Sequence, residues 1–351
     1  MALQYDSVSS SADFQAALTA TTLSAATQDA ITAILGDSET VAVGSFDGTT
    51  LTAPSGVDVD VVFADIAGNA GEQVPLALPA DAMASASAWV FNSEADLTIG
   101  FTNVERVIAS GNGNDTVIVA GDQNIVLDGG AGNDSLSTSG GNDSVIGGAG
   151  DDSISTAAGD DTIVAGEGND TIDAGTGFDI VQIEGASSSF DFSVLGGSLV
   201  ATALDGSASV TASNVEVFSF GGLDKDNVVI TANDTAANAM RLYEGLLARS
   251  ADVSGAQYWL DKVGQGASLE EIAGSFLASE ELQSYGELSN EEYVLALYEN
   301  ALDRTAEDAG RDYWVSQIEN GASREQVAIS IVGSPEGADA IDSVIVITGL
   351  V

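Results

Sequence analysis

Aspartate recurs at a strict nine-residue step through the middle of the chain, at Asp134, Asp143, Asp152, Asp161, Asp170 and Asp179. Each closes a Gly-rich stretch, in units such as GGAGNDSLS, SGGNDSVIG and GEGNDTIDA. Two residues after each stands an aliphatic side chain: Leu136, Val145, Ile154, Ile163, Ile172 and Val181. Upstream, Asp115 with Val117 fits the same template. Asn124 with Val126 takes the next slot in degenerate form, and one extra residue precedes Asp134. The Gly-rich half suits tight turns with positive φ, and the aliphatic half has strand character. One inward aliphatic per unit cannot form a globular core alone, but stacked coils bury a continuous ladder. The pattern therefore predicts a right-handed parallel β-roll, with strands on two faces and turns on two edges.

On such a roll, alternate repeats share an edge. Asp134 then lies beside Asp152 and Asp170, and Asp143 beside Asp161 and Asp179. Neighbouring turns stand roughly 4.8 Å apart, close enough for like charges to repel strongly in a half-buried site. A hard divalent cation removes the conflict. Calcium accepts six to eight oxygens, backbone carbonyls included, whereas magnesium holds its waters and demands a tighter octahedron.

These units resemble the RTX calcium-binding nonapeptide repeat, GGxGxDxUx. The resemblance covers about 70 residues by the repeat count above. It implies a calcium ion between two turns of one edge, held by the motif Asp and by backbone carbonyls. On that resemblance the metal ligands are Asp115, Asp134, Asp143, Asp152, Asp161, Asp170 and Asp179, for roughly four to seven Ca2+ ions. Asn114, Asn133, Asn142, Asp151, Asp160 and Asn169 precede them and read as turn formers. Ala149, Ala158 and Thr176 stand where the motif has Gly, and Asn124 where it has Asp.

The rest of the composition narrows the chemistry. The chain has no His and no Cys, which removes imidazole general bases, Ser-His-Asp triads, HExxH zinc sites, disulfides and thiolate metal sites. With 54 acidic and 8 basic residues the net charge is -46, so nucleic acid is not an expected partner and anionic lipid would need a cation bridge. Charged residues are only 18% and apolar ones 44%, which separates this chain from a disordered polyacid. No apolar run is long enough to span a membrane. The start MALQYDSVSSSADF has no basic region or apolar core of a secretory signal. No pair of acids stands out from the 54 as a catalytic couple, and the chain is read as a non-enzyme.

The expected fold class is mixed and multidomain. It has an α+β N-terminal region (1–100), a central parallel β-roll (101–182), a β cap (183–235) and a C-terminal all-α repeat domain (236–351). Residues 11–35 carry helical spacing at Phe14, Leu18, Ile31 and Leu35, and residues 40–100 carry strand-like runs. Trp89 and Phe91 read as core there, and Asp58, Asp60 and Asp65 as a solvated strand face, with an extra calcium site as the lesser alternative. From about Ala236 a second repeat appears with an offset of 55 residues, aligning Tyr243 with Tyr298, Arg249 with Arg304, and Tyr258-Trp259 with Tyr313-Trp314. Each copy reads as three short helices. Ser268 with Glu271 and Ser323 with Gln326 are capping boxes. Arg249 is expected to pair with Asp252 and Arg304 with Glu307, and the Tyr-Trp pairs to anchor the core.

The pattern LYxxxLxRxAxxxGxxYW resembles a bacterial family of undefined chemistry that accompanies RTX repeats in secreted surface proteins. RTX proteins leave the cell by a one-step, type I route that reads an uncleaved C-terminal signal, and the tail DAIDSVIVITGLV is read as compatible with it. The resemblance thus implies an extracellular or cell-surface location. The expected function is a calcium-folded structural protein that assembles with itself into a surface layer or extracellular filament. The alternative is a glycan-binding adhesin or biofilm matrix protein, with anionic polysaccharide or lipopolysaccharide bridged by Ca2+. Exposed aromatics in residues 40–100 would favour that alternative.

Overall fold

The computed structural model describes residues 8–102, 106–221, 226–284 and 286–347. Two compact units emerge: residues 1–182 with 190–215, and residues 183–189 with 216–351.

The first unit is a parallel β-solenoid. From Thr116 the chain alternates between two sheets. Thr116–Ala120, Ser135–Ser137, Ser153–Ser155 and Asn169–Asp173 pair in parallel in one sheet. Ile125–Ala131, Ser144–Ala149, Thr162–Glu167 and Ile180–Ile183 do so in the other. Two nonapeptides make one coil, so Leu136 pairs with Ile154 and Ile154 with Ile172, while Val145 pairs with Ile163 and Ile163 with Val181. These side chains, with Val117 and Leu127, are at most 2% exposed. Burying one such side chain stabilises by roughly 1.5–3 kcal/mol, and the ladder repeats that gain in every coil.

The degenerate slot is corrected by this register. Leu127, not Val126, pairs with Val145 and points inward. Val126 instead packs from outside against the N-terminal helices. The extra residue before Asp134 moves the slot by one, and in a strand one residue exchanges the two faces.

Upstream of the repeats the α+β region carries the same two sheets. Val43–Phe46, Val61–Asp65, Ala88–Asn92 and Arg106–Ala109 run parallel and lead into Ile125–Ala131. Gln73–Pro75 and Asp96–Thr102 lead into Thr116–Ala120. Aromatic rings fill the interior here: Trp89 stacks on Phe91 at 5.8 Å and meets Phe46 and Phe101 edge-on. Trp89 and Phe91 are buried, as the sequence suggests. Helices Ser11–Leu18 and Ala25–Leu35, capped by Ser10 and Ser24, cover the outside of one sheet through Phe14, Leu18 and Ile31. After the repeats, Ser209–Ser213 adds in parallel to Asn169–Asp173, and a hairpin of Phe190–Leu195 with Ser198–Ala203 extends that sheet.

The second unit holds the duplicated helices. Asp234–Leu247, Val253–Gly264 and Leu269–Leu277 correspond to Asn290–Leu302, Asp308–Glu319 and Arg324–Val332. Each copy adds a fourth short helix, Glu280–Gln283 and Pro335–Ala340. Both capping boxes form as expected. The first helix of each copy ends on a left-handed residue, Ala248 (φ 54°) and Asp303 (φ 46°). Val344–Val346 in the tail pairs in parallel with Asp226–Thr231, and residues 348–351 lie outside the described residues.

Two expectations for these helices are corrected. Tyr258 and Tyr313 are exposed (53% and 55%) rather than core anchors. Adjacent residues on a helix diverge by about 100°, so only one of each pair can face inward; Trp259 does so, 5.0 Å from Phe276. Arg249 pairs with Asp252 at 3.2 Å and also with Glu281 at 2.9 Å. Arg304 pairs with Glu336 instead of Glu307. Asp252 caps its helix through its side chain, whereas the longer Glu307 makes no side-chain cap bond. Among the described residues no helix is long and apolar enough to cross a membrane.

Candidate metal centre

The turns between strands carry two ladders of side-chain-to-backbone hydrogen bonds that run in opposite directions. On one edge, the motif Asp reaches back one coil: Oδ1 of Asp115, Asp134, Asp152 and Asp170 accepts from the amides of Leu97, Asp115, Asp134 and Asp152. On the other edge, Oδ1 of Asp143, Asp161 and Asp179 accepts from the amides of Ile125, Asp143 and Asp161. All these bonds are 2.7–3.0 Å long. The residue before each Asp reaches forward. Oδ1 of Asn114, Asn133 and Asp151 accepts from the amides of Asn133, Asp151 and Asn169, and Oδ1 of Asn124, Asn142 and Asp160 from Asn142, Asp160 and Phe178. These side chains are exposed and engaged in shaping the turn, as turn formers are.

Two positions escaped the sequence template. Asn124 belongs to the forward ladder, and Ile125 occupies the slot of the motif Asp on that coil. The signal was available: Ile125 lies one coil, 18 residues, before Asp143. Asp96, one coil before Asn114, accepts from the Asn114 amide and so heads the forward ladder on its edge.

The motif aspartates are all buried, at 0–3% exposure. With Oδ1 committed to an amide, the second oxygen is the one that matters. Oδ2 of Asp115, Asp134, Asp143, Asp152, Asp161 and Asp170 is buried and has no hydrogen-bond partner. A buried carboxylate oxygen left this way is costly. Burial is the main cause of high pKa values here, with neighbouring carboxylates adding to it; the backbone amides oppose it, as do the nearby hydroxyls of Ser110 at Asp115, Thr138 at Asp143 and Thr156 at Asp161. Asp134 is pushed up to about 8, Asp115 and Asp170 to about 7, and Asp143 and Asp152 to about 6. Asp161 shifts in the same direction.

The space facing these oxygens fits a calcium ion. A Cβ on Gly129 would stand 2.5 Å from both Asp134 Oδ2 and Gly147 O. One on Gly147 would stand 2.6 Å from Asp152 Oδ2 and closer still to Ala165 O. A carboxylate oxygen and a carbonyl oxygen thus share a small space that only glycine leaves open. Among the described residues no three acidic side chains converge on one point. A cation here must take most of its ligands from the backbone, which calcium accepts. Asp58, Asp60 and Asp65 do not gather into a site: Asp60 accepts from the Ala42 amide and Asp65 from the Asn92 amide group.

Comparison with known families agrees with this geometry. Residues 126–154 and 146–181 match the model of the RTX calcium-binding nonapeptide repeat. Residues 232–284 and 273–340 match a domain of unknown function, DUF4214. The chain therefore combines RTX repeats, which bind Ca2+ and are typical of secreted proteins exported by type I secretion, with a tandem DUF4214 region. No curated protein matches the chain.

Proposed function

We propose that this is an extracellular structural protein whose solenoid closes around calcium and which then assembles with itself into a surface layer or filament. The row of buried, unpartnered Oδ2 atoms carries the reading. The ligands are Asp115, Asp134, Asp143, Asp152, Asp161, Asp170 and Asp179. Along the edges they form the pairs 115/134, 134/152 and 152/170, and 143/161 and 161/179, each pair one coil apart. Bound calcium supplies positive charge to each pair and draws in the carbonyls of the Gly-rich turns. In a calcium-poor cell interior the carboxylates repel and the repeats stay open, which suits passage through a narrow export channel. Outside, calcium binds the native state alone and its binding energy becomes folding energy.

The step from a calcium-folded secreted protein to a self-assembling one rests on the acidic surface, which calcium can bridge, and on the duplicated helices. Sedimentation of the purified chain with and without calcium tests it. Calcium-dependent growth to large particles is expected; a chain that folds in calcium but stays monomeric at all concentrations would refute assembly and leave the calcium reading intact. The adhesin alternative lacks its expected support, because of the four aromatics in residues 40–100 Phe46, Trp89 and Phe91 are buried and Phe63 is partly buried against the core.

A further inference from the structure

In the second unit, a cleft of about 820 Å3 opens between the two copies of the helical repeat. That volume lies within the range of small-molecule sites, about 300–1,000 Å3. Its apolar wall includes Leu246, Leu277, Leu282 and Leu297, and Ala296 and Arg324 also face it.

Arg324 is the unusual member. In a chain with 54 acidic residues, the other arginines that are not buried, Arg249, Arg304 and Arg311, each hold a carboxylate. Arg324 forms no ion pair among the described residues. Its Nη2 donates to Leu288 O (2.6 Å) and Asn290 Oδ1 (3.0 Å), and its guanidinium lies 4.9 Å over the Tyr293 ring. These contacts are with neutral groups and occupy one of its three nitrogens. Helix stability does not explain the residue. Arg324 is the first residue after the Ser323 cap, where the helix dipole disfavours positive charge. The first copy has Leu269 at the same position, after the Ser268 cap. The duplication is thus broken at the one positively charged residue that, among the described residues, lines the cleft.

We infer that this cleft binds an amphipathic monoanion, a single-chain carboxylate whose acid group meets Arg324 and whose hydrocarbon lies along the leucines. Glu287 and Glu325 also border the cleft, so an anion is favoured only where its single charge meets Arg324 directly, and each further negative charge adds repulsion. The site is separate from the calcium turns and does not depend on the assembly reading.

The test is calorimetric titration of the calcium-loaded full chain with decanoate below its micelle concentration, alongside decanol. One saturable site per chain is expected, with decanol at least about tenfold weaker because it lacks the charged partner. Arg324→Leu, which installs the residue of the first copy, should weaken decanoate by a similar factor. Ala296→Trp should block it by filling the cleft while leaving Arg324 in place. Retained helical circular dichroism qualifies both variants. No saturable binding, equal binding of decanol, or full affinity in Arg324→Leu would each overturn the inference. Should Arg324→Leu fail to fold, Ala296→Trp decides: undiminished binding there also overturns it.

Discussion

At the scale of single residues, the proposed calcium role gives each motif aspartate opposite effects with and without metal. Burial raises the carboxyls of Asp115, Asp134, Asp143, Asp152 and Asp170 to about 6 to 8, above the ordinary value of 3.8. Between those limits the native state binds more protons than the unfolded chain, so metal-free stability falls as pH rises. The stability these groups lend is fully present below about pH 4 and is lost as pH rises through about 6 to 8. In chelator, the β signal should therefore be stronger and melt later near pH 4.5 than near pH 7.5, by circular dichroism. With calcium the order should reverse, because protons compete for the same oxygens. Asp152→Asn keeps an acceptor for the Asp134 amide but removes the charge. It should stabilise the metal-free fold by about 1–3 kcal/mol while lowering calcium stoichiometry in equilibrium dialysis. A fall in stability under both conditions would contradict the charge argument. Ala157 offers a simpler case. It sits at φ 70° in a turn where its counterpart one coil later is Gly175 (φ 97°). Ala157→Gly should raise the melting temperature, by relieving about 1 kcal/mol of backbone strain.

At the scale of elements, the coil and not the nonapeptide is the unit of structure. Hydrogen bonds and strand pairs join residues 18 apart, and adjacent nonapeptides lie in different sheets. Removing residues 144–161 should leave a shorter folded solenoid with proportionately less bound calcium. Removing residues 144–152 alone should send every later strand to the wrong sheet and present the wrong edge to Ser209–Ser213, which pairs with Asn169–Asp173. Thermal melting in calcium should show a near-native transition for the first deletion and a large loss for the second. The sequence made this unit legible, because the nine-residue step and its aliphatic followers define inside and outside without tertiary information. It misled at Asn124, where counting forward from Asp115 crosses an insertion and counting back from Asp143 does not. It also placed both members of Tyr258-Trp259 and Tyr313-Trp314 in the core, though neighbours on a helix cannot share a face.

At the scale of the whole molecule, two kinds of stability coexist in one chain. The solenoid stacks carboxylates that repel without metal, whereas the helical repeats are closed by apolar cores, capping boxes and arginine–glutamate pairs that need none. Chelator should therefore reduce the β contribution to circular dichroism at neutral pH, by the share of the repeat coils, and leave the helical bands. Calorimetry should resolve one transition that moves with calcium and one that does not. A single transition indifferent to calcium would contradict this division.

Repetition in the sequence was enough to specify a β-roll with acidic turns, because a periodic chain has few ways to bury one aliphatic in nine and to satisfy its charges. Which oxygen of Asp134, Asp152 and Asp170 would face the proposed metal was decided only in three dimensions, since an amide from the preceding coil claims Oδ1 and burial isolates Oδ2. The strands before the repeats, which join the same two sheets without any nonapeptide pattern, were also a tertiary outcome. Once the regular coils present unpaired strand edges, hydrogen bonding recruits whatever extended chain lies next to them, and no local motif is required.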